Sequence, residues 1–215
     1  MDYNSLIGDK TVPGSIKLWI NNALIDVGTI LSEAQALIYQ HLRVREMIVS
    51  DYAFVMAQGD YSKPLPARFL DPIAMRDQYF VRMKARDLPS VKARRWIDAT
   101  TGAIGQGQPF LFALTGTTIE FNCAADATAT GTYLLDYFGA PPLLAPLNQT
   151  NFLTDRYPML LRTACFAAAA DFLNDDARVT RYTQRMMALI QDIDVNDDLA
   201  MRGSQVDADY SESRA

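Results

Sequence analysis

A chain of 215 residues that is 49% hydrophobic can bury a core of its own, which excludes a fibrous or wholly disordered protein and points to one domain, or one domain with an insertion. Its formal net charge of −5 argues against a dedicated nucleic-acid binder, because neutralising phosphates takes a dense basic surface. Every apolar run falls short of the roughly 20 residues that cross a bilayer, so no membrane contact is expected.

The start Met1-Asp2-Tyr3-Asn4 lacks the basic and apolar regions of a signal peptide, so synthesis and retention in a cytoplasm are expected. Cys123 and Cys165 have no CxxC spacing and read as small buried hydrophobes, not as a disulfide or zinc site.

Residues 1–14 are polar and end in the turn signal Pro13-Gly14. Ser15 can cap a short helix in which Ile16, Trp19, Ile20, Ala23, Leu24 and Val27 recur at helical spacing, with Gly28 as its stop. Ser32 and Gln35 then form a capping box for a helix that carries Ala34, Leu37, Ile38 and Leu42 on one face. Arg43, Arg45 and Glu46 lie toward its end, where basic side chains complement the helix dipole.

From Met47 the period changes to two and predicts a strand over 47–57, with a continued helix as the alternative because both periods find support there. A turn at Gly59-Asp60 and an extended connector over 63–66 lead to a strand over 72–84, a short helix over 89–98 and a glycine-rich loop over 100–107. Strands are expected over 110–114, 118–121 and 132–138, with a tight turn at Thr115-Gly116-Thr117 between the first two. Short strands in sequence favour an antiparallel meander. Pro141-Pro142 and Pro146 then carry the chain back in extended form.

A helix over 158–173 follows, with Pro158 in its first turn and Leu161, Ala164, Cys165, Ala168 and Phe172 on one face. The low bulk of Ala167–Ala170 would let another helix, or a second copy of the chain, approach closely. After Asn174, Asp175 caps a second helix whose apolar stripe is Val179, Tyr182, Met186, Leu189, Ile190 and Ile193, with Gly203 as its stop.

The expected fold is therefore α+β. Helices of 1–47 and 148–203 form a bundle, an antiparallel β-rich insertion spans 48–147, and 204–215 form an extended polar tail that is disordered alone or ordered by a partner.

No phosphate-cradling glycine motif, GxSxG elbow, HExxH or metal-spaced cluster is present, so no catalytic, cofactor or metal site is expected. His41, beside Ile38 and Leu42, reads as a structural histidine on the packed side of its helix. Asp175-Asp176 and Asp197-Asp198 read as helix caps and solvated ends, and Trp19 and Trp96 as core or interface.

Charge is unevenly distributed. The basic residues 68, 76, 82, 84, 86, 92, 94 and 95 face only the aspartates 71, 77 and 87 in the same stretch, whereas 192–215 carry seven acids against Arg202 and Arg214. In a lone monomer such blocks read as solvated faces, whereas in a self-assembling protein they could steer one copy onto the next. The candidate subunit or partner contacts are Arg43, Arg45, Arg82, Lys84, Arg86, Arg94, Arg95, Asp192, Asp194, Asp197, Asp198 and Tyr210, the last as an aromatic anchor in the acidic tail.

The order of several segments resembles the adaptor, or head-to-tail connector, proteins of tailed bacteriophages. They are Ser32-Glu33-Ala34-Gln35, Leu42-Arg43-Val44-Arg45-Glu46-Met47, Leu65-Pro66-Ala67-Arg68-Phe69-Leu70 and Gly116-Thr117-Thr118-Ile119-Glu120-Phe121. Tyr137 ahead of Pro141-Pro142-Leu143, then Thr150-Asn151-Phe152-Leu153, Tyr157-Pro158 and Asp175-Asp176-Ala177-Arg178 complete the set. The resemblance implies a virion structural protein of the neck, made in the host cytoplasm and assembled as a ring of twelve copies. The ring would bind the portal on one side and tail or nozzle proteins on the other. Genomic DNA would pass through its lumen without sequence-specific binding. Two other classes are a virion-associated cell-wall hydrolase, for which no raised-pKa carboxylic acid is nominated, and a small DNA-binding regulator using the basic region 82–95.

Overall fold

A computed structural model describes residues 17–20, 23–97, 102–144 and 150–212, and the side chains of 28–97, 102–144 and 150–197. In chain order the elements are β1 (Lys17–Ile20), β2 (Ala23–Asp26), α1 (Val27–His41), a 3-10 turn (Arg45–Met47), β3 (Ile48–Met56), β4 (Ser62–Pro64), β5 (Phe69–Arg76) and β6 (Lys84–Ala85). They continue with α2 (Leu88–Ala93), β7 (Gln106–Gly107), β8 (Leu111–Thr115), β9 (Thr118–Phe121), β10 (Ala124–Ala125), β11 (Gly131–Gly139), α3 (Phe152–Arg156), α4 (Pro158–Phe172) and α5 (Asp176–Glu212). The chain divides into two compact units, Met1–Glu46 with Pro141–Ala215, and Met47–Ala140.

Among the described residues the first unit's regular structure is helical apart from the antiparallel pair β1 and β2, which lies where a helix was expected. Leu18, Trp19, Ile20 and Ile25 are aromatic, branched or bulky residues that suit a pleated surface, and Asn21-Asn22 between the strands favour turns over helix interiors. Helix α1 then begins at Val27, so Gly28 lies inside it and is no stop. Ser32 is likewise mid-helix. Its hydroxyl donates to the Thr29 carbonyl at 2.8 Å, and the expected capping box is absent. Gln35 is fully buried instead, with its amide nitrogen on the Leu31 carbonyl and its amide oxygen accepting from the Leu144 N–H at 2.9 Å.

Helix α4 packs against both α1 and α5. Its buried residues are Leu160, Thr163, Ala164, Ala167, Ala168 and Ala170, so the small side chains meet helices of the same chain and offer no open surface to a second copy. Phe172, expected on the packed face, is exposed together with Met159 and Phe166. Alanine at the crossing lets the helix axes approach closely, and the bulky residues turn outward because the crossing has no room for them. Helix α3 has a capping box of its own, with the Asn151 carboxamide oxygen accepting from Leu153 and Thr154, and the Thr154 hydroxyl accepting from the Asn151 N–H. Asp175 accepts from the Arg178 N–H at 3.1 Å and so caps α5. That helix runs to Glu212 without a break at Gly203, and the expected extended tail is helical through residue 212.

The second unit is built on two sheets, ordered β3-β11-β5 and β4-β9-β8-β6, with a small β10-β7 pair. Strands β3, β8, β9 and β11 lie where alternation and turn chemistry predict them. The expected antiparallel meander does not form. β6 runs parallel to β8, and β7 parallel to β10. A parallel partner needs a crossover, and α2 lies within the one joining β6 to β8. The single strand expected over 72–84 is broken into β5, a turn and β6. Between the sheets lies a core of Met56, Met75, Met83, Phe112, Ile119, Phe121, Tyr133, Leu135 and Tyr137, with Phe54 and Phe69 packed against it.

Candidate interaction surfaces

The second unit gathers four of the basic side chains singled out in the sequence. Arg82, Lys84, Arg86 and Arg94 line one cleft of about 460 Å³ with Asp87, Ser90, Phe110 and Leu111. β6 places Lys84 and positions Arg86 through the parallel ladder, in which the Lys84 and Arg86 N–H groups donate to the Phe110 and Phe112 carbonyls. α2 brings Arg94 alongside by starting at Asp87, whose carboxylate accepts from the Ser90 N–H at 3.2 Å. Those bonds from Ser90, hydroxyl and N–H, hold the Asp87 carboxyl below its ordinary range, with a smaller contribution from Arg86. Among the described residues none of the four cations forms a salt bridge, although Arg82 donates to the Ile73 carbonyl at 3.3 Å, so the cleft presents an exposed basic surface.

Several other candidates are engaged within the chain. Arg95 is nearly buried. It pairs with Glu120 at 2.8 Å, donates to the Phe121 carbonyl and lies over the Tyr61 ring, which makes it a brace for β9. Arg45 and Asp197, read as contacts of opposite sign to other molecules, bind each other: Nε meets Oδ1 at 2.7 Å and the Arg45 N–H meets Oδ2 at 3.0 Å. Arg43 closes the end of α1 by donating to the Tyr39 and Leu42 carbonyls. Asp192 is exposed and Asp194 half-buried on α5. Asp198 and Tyr210 lie on the same helix, with side chains outside the described residues, so the anchor reading of Tyr210 starts from a helical backbone and not from an extended tail.

His41 is exposed at the end of α1, not packed. Trp96 is 68% exposed and lies against Gly105, where an added Cβ would come within 2.0 Å of the indole ring. Both cysteines are free and half-buried, and burial, with a smaller push from Asp126, raises the Cys123 thiol to about 11. Among the described residues no group of three or more His, Cys, Asp or Glu side chains is placed to hold a metal, and no helix is long and apolar enough to cross a membrane. One surface feature escaped the sequence reading: Tyr79, Phe80 and Val81 are all exposed in the turn after β5. Three consecutive apolar residues break the alternation of a strand, and that run was the available signal.

The family model described as SU10 adaptor protein matches residues 10–208. The chain belongs to the SU10 adaptor protein family. This is a family of phage head–tail adaptors, and it accounts for the resemblance carried by the ordered segments from Ser32 to Arg178. No curated protein matches the chain. The exposed features of this SU10 adaptor protein, among the described residues, include the basic cleft, the apolar turn and the outward face of α4.

Proposed function

We propose that the chain is the subunit of a twelve-membered ring in the virion neck that joins the portal of the head to the tail and continues the DNA channel. The observation that carries this reading is the family match over residues 10–208, nearly the whole chain. In this reading the chain is a structural protein and does no catalysis. The unit Met1–Glu46 with Pro141–Ala215 forms the ring body, with α5 directed to the portal, and the unit Met47–Ala140 meets tail components. The basic cleft of Arg82, Lys84, Arg86 and Arg94 and the acidic stretch from Asp192 onward steer copies onto one another.

Ring formation should then depend on salt. Sedimentation of the purified chain is expected to show the assembled fraction falling as ionic strength rises from about 50 to 500 mM, where the screening length shrinks to a few ångströms. The double variant Arg82→Glu, Arg86→Glu should lower that fraction about tenfold at low salt while melting as the native chain does, since both side chains are exposed. An assembled fraction that ignores both salt and charge reversal would refute the steering role of the cleft.

A further inference from the structure

The turn after β5 is built to present an apolar tip. Tyr79, Phe80 and Val81 are 64%, 70% and 61% exposed. Beneath them Asp77 is 7% exposed, and a single carboxylate oxygen accepts from the N–H groups of Tyr79 at 2.9 Å and Val81 at 2.8 Å. The other oxygen accepts from the Gln108 amide at 3.0 Å, and the Asp77 N–H donates to the Val81 carbonyl at 3.0 Å. The Tyr79 hydroxyl donates to the Thr128 carbonyl. These bonds hold Phe80 at φ 62°, a left-handed conformation that a bulky side chain seldom adopts. A strained, tightly bonded turn that displays three apolar side chains is preorganised for docking, because little freedom remains to be lost on contact.

A cleft of matching character lies at the other end of the same strand. Leu65, Phe69, Leu70, Leu114 and the Gly116 turn line about 550 Å³, with exposed Arg68 at the rim. Its leucines and phenylalanine are half-buried, so an aromatic guest would complete their burial. Arg68 is placed to stack on that guest's ring. Tip and cleft are joined by the eight residues of β5, which span about 26 Å as extended strand. β5 is hydrogen-bonded along β11, so a tip cannot reach the cleft of its own chain.

We propose that the Tyr79–Val81 tip of one copy inserts into the Leu65–Leu70 cleft of the next. The contact is head-to-tail, with different surfaces from the two copies, and so is of the kind that closes a ring. It deepens the ring reading above, on which it rests.

Cysteine pairing in the full-length chain tests it. Phe80→Cys and Ala67→Cys are made separately and together, assembled, and oxidised with diamide beside the native chain. Mixing the two single variants should give one disulfide-linked dimer, and the double variant should give a ladder of linked copies. Phe80→Gly, which removes the ring and relieves the left-handed backbone, should melt no lower than the native chain yet assemble about tenfold less. Linked dimers of Phe80→Cys alone would show like surfaces meeting and overturn the proposal. Rings that form without cross-links, or that Phe80→Gly leaves unaffected, would overturn this contact and leave the ring reading standing. Failure of the native chain to form any ring would sink both.

Discussion

Replacing Tyr133 with Ala is expected to destabilise the Met47–Ala140 unit by about 3–5 kcal/mol, the cost of emptying a large aromatic site in a packed core. Tyr133 is fully buried on β11, stacked with Phe54 at 5.9 Å and edge-on to Phe121 at 6.3 Å, so three rings from three strands share one contact. Its hydroxyl donates to the Ala129 carbonyl at 3.1 Å, and burial, aided by the nearby Asp77 charge, pushes the phenol up to about 12. Tyr133→Phe keeps the ring and removes only the hydroxyl with its hydrogen bonds to the Ala129 carbonyl and the Gln108 side chain, and should cost only about 0.5–1.5 kcal/mol. Urea unfolding read by Trp96 fluorescence in a Trp19→Phe background separates the two. Equal losses for both variants would mean that the hydroxyl, not the ring, holds the site together.

Asp197→Ala is expected to lower the melting temperature of the helical unit by about 4–8 °C, corresponding to about 2 kcal/mol. The Asp197 side chain is 5% exposed and ties α5 to the segment after α1 through both the backbone N–H and the guanidinium of Arg45. Arg45 is half-exposed, so its freed charge can find water, which keeps the loss below that of a fully buried pair. Asp197→Asn retains an acceptor and should cost less. Circular dichroism at 222 nm during heating reads both. A melting curve that does not move would return Asp197 to the role of an external contact.

Where a single local signal governs, the sequence is legible. β8, β9 and β11 follow from alternation and turn residues, and α4 from its Pro158 start and 3.6-residue period. It is less legible where two signals compete. Residues 17–26 satisfy a helical count, yet their aromatic and branched side chains favour the pairing of β1 with β2. Gly203 reads as a stop, but Gly in a helix costs only about 0.5–1 kcal/mol relative to Ala, and the good helix formers Leu199, Ala200, Met201 and Arg202 precede it. Over 77–81 an aspartate carboxylate captures two backbone N–H groups and diverts a strand into a turn.

Contact surfaces are the least legible part. The alanines of α4 suggest an open face until α1 and α5 are seen to cover them. Arg45 and Asp197 look like separate contacts to other molecules, 152 positions apart, until the fold brings them together. Yet Asp197 falls seven residues after Ile190, which itself follows Met186 by four, so its place on the buried stripe of α5 could be read from spacing. Arg82, Lys84, Arg86 and Arg94 remain a cluster because β6 and α2 are adjacent in both sequence and space.

Negative-stain imaging of the full-length chain mixed with purified portal rings tests the central claim most directly. Rings of the chain stacked coaxially on one face of the portal, with twelve subunits by class averaging, are the expected result. Monomers that leave the portal bare under conditions where the portal is intact would contradict the adaptor account.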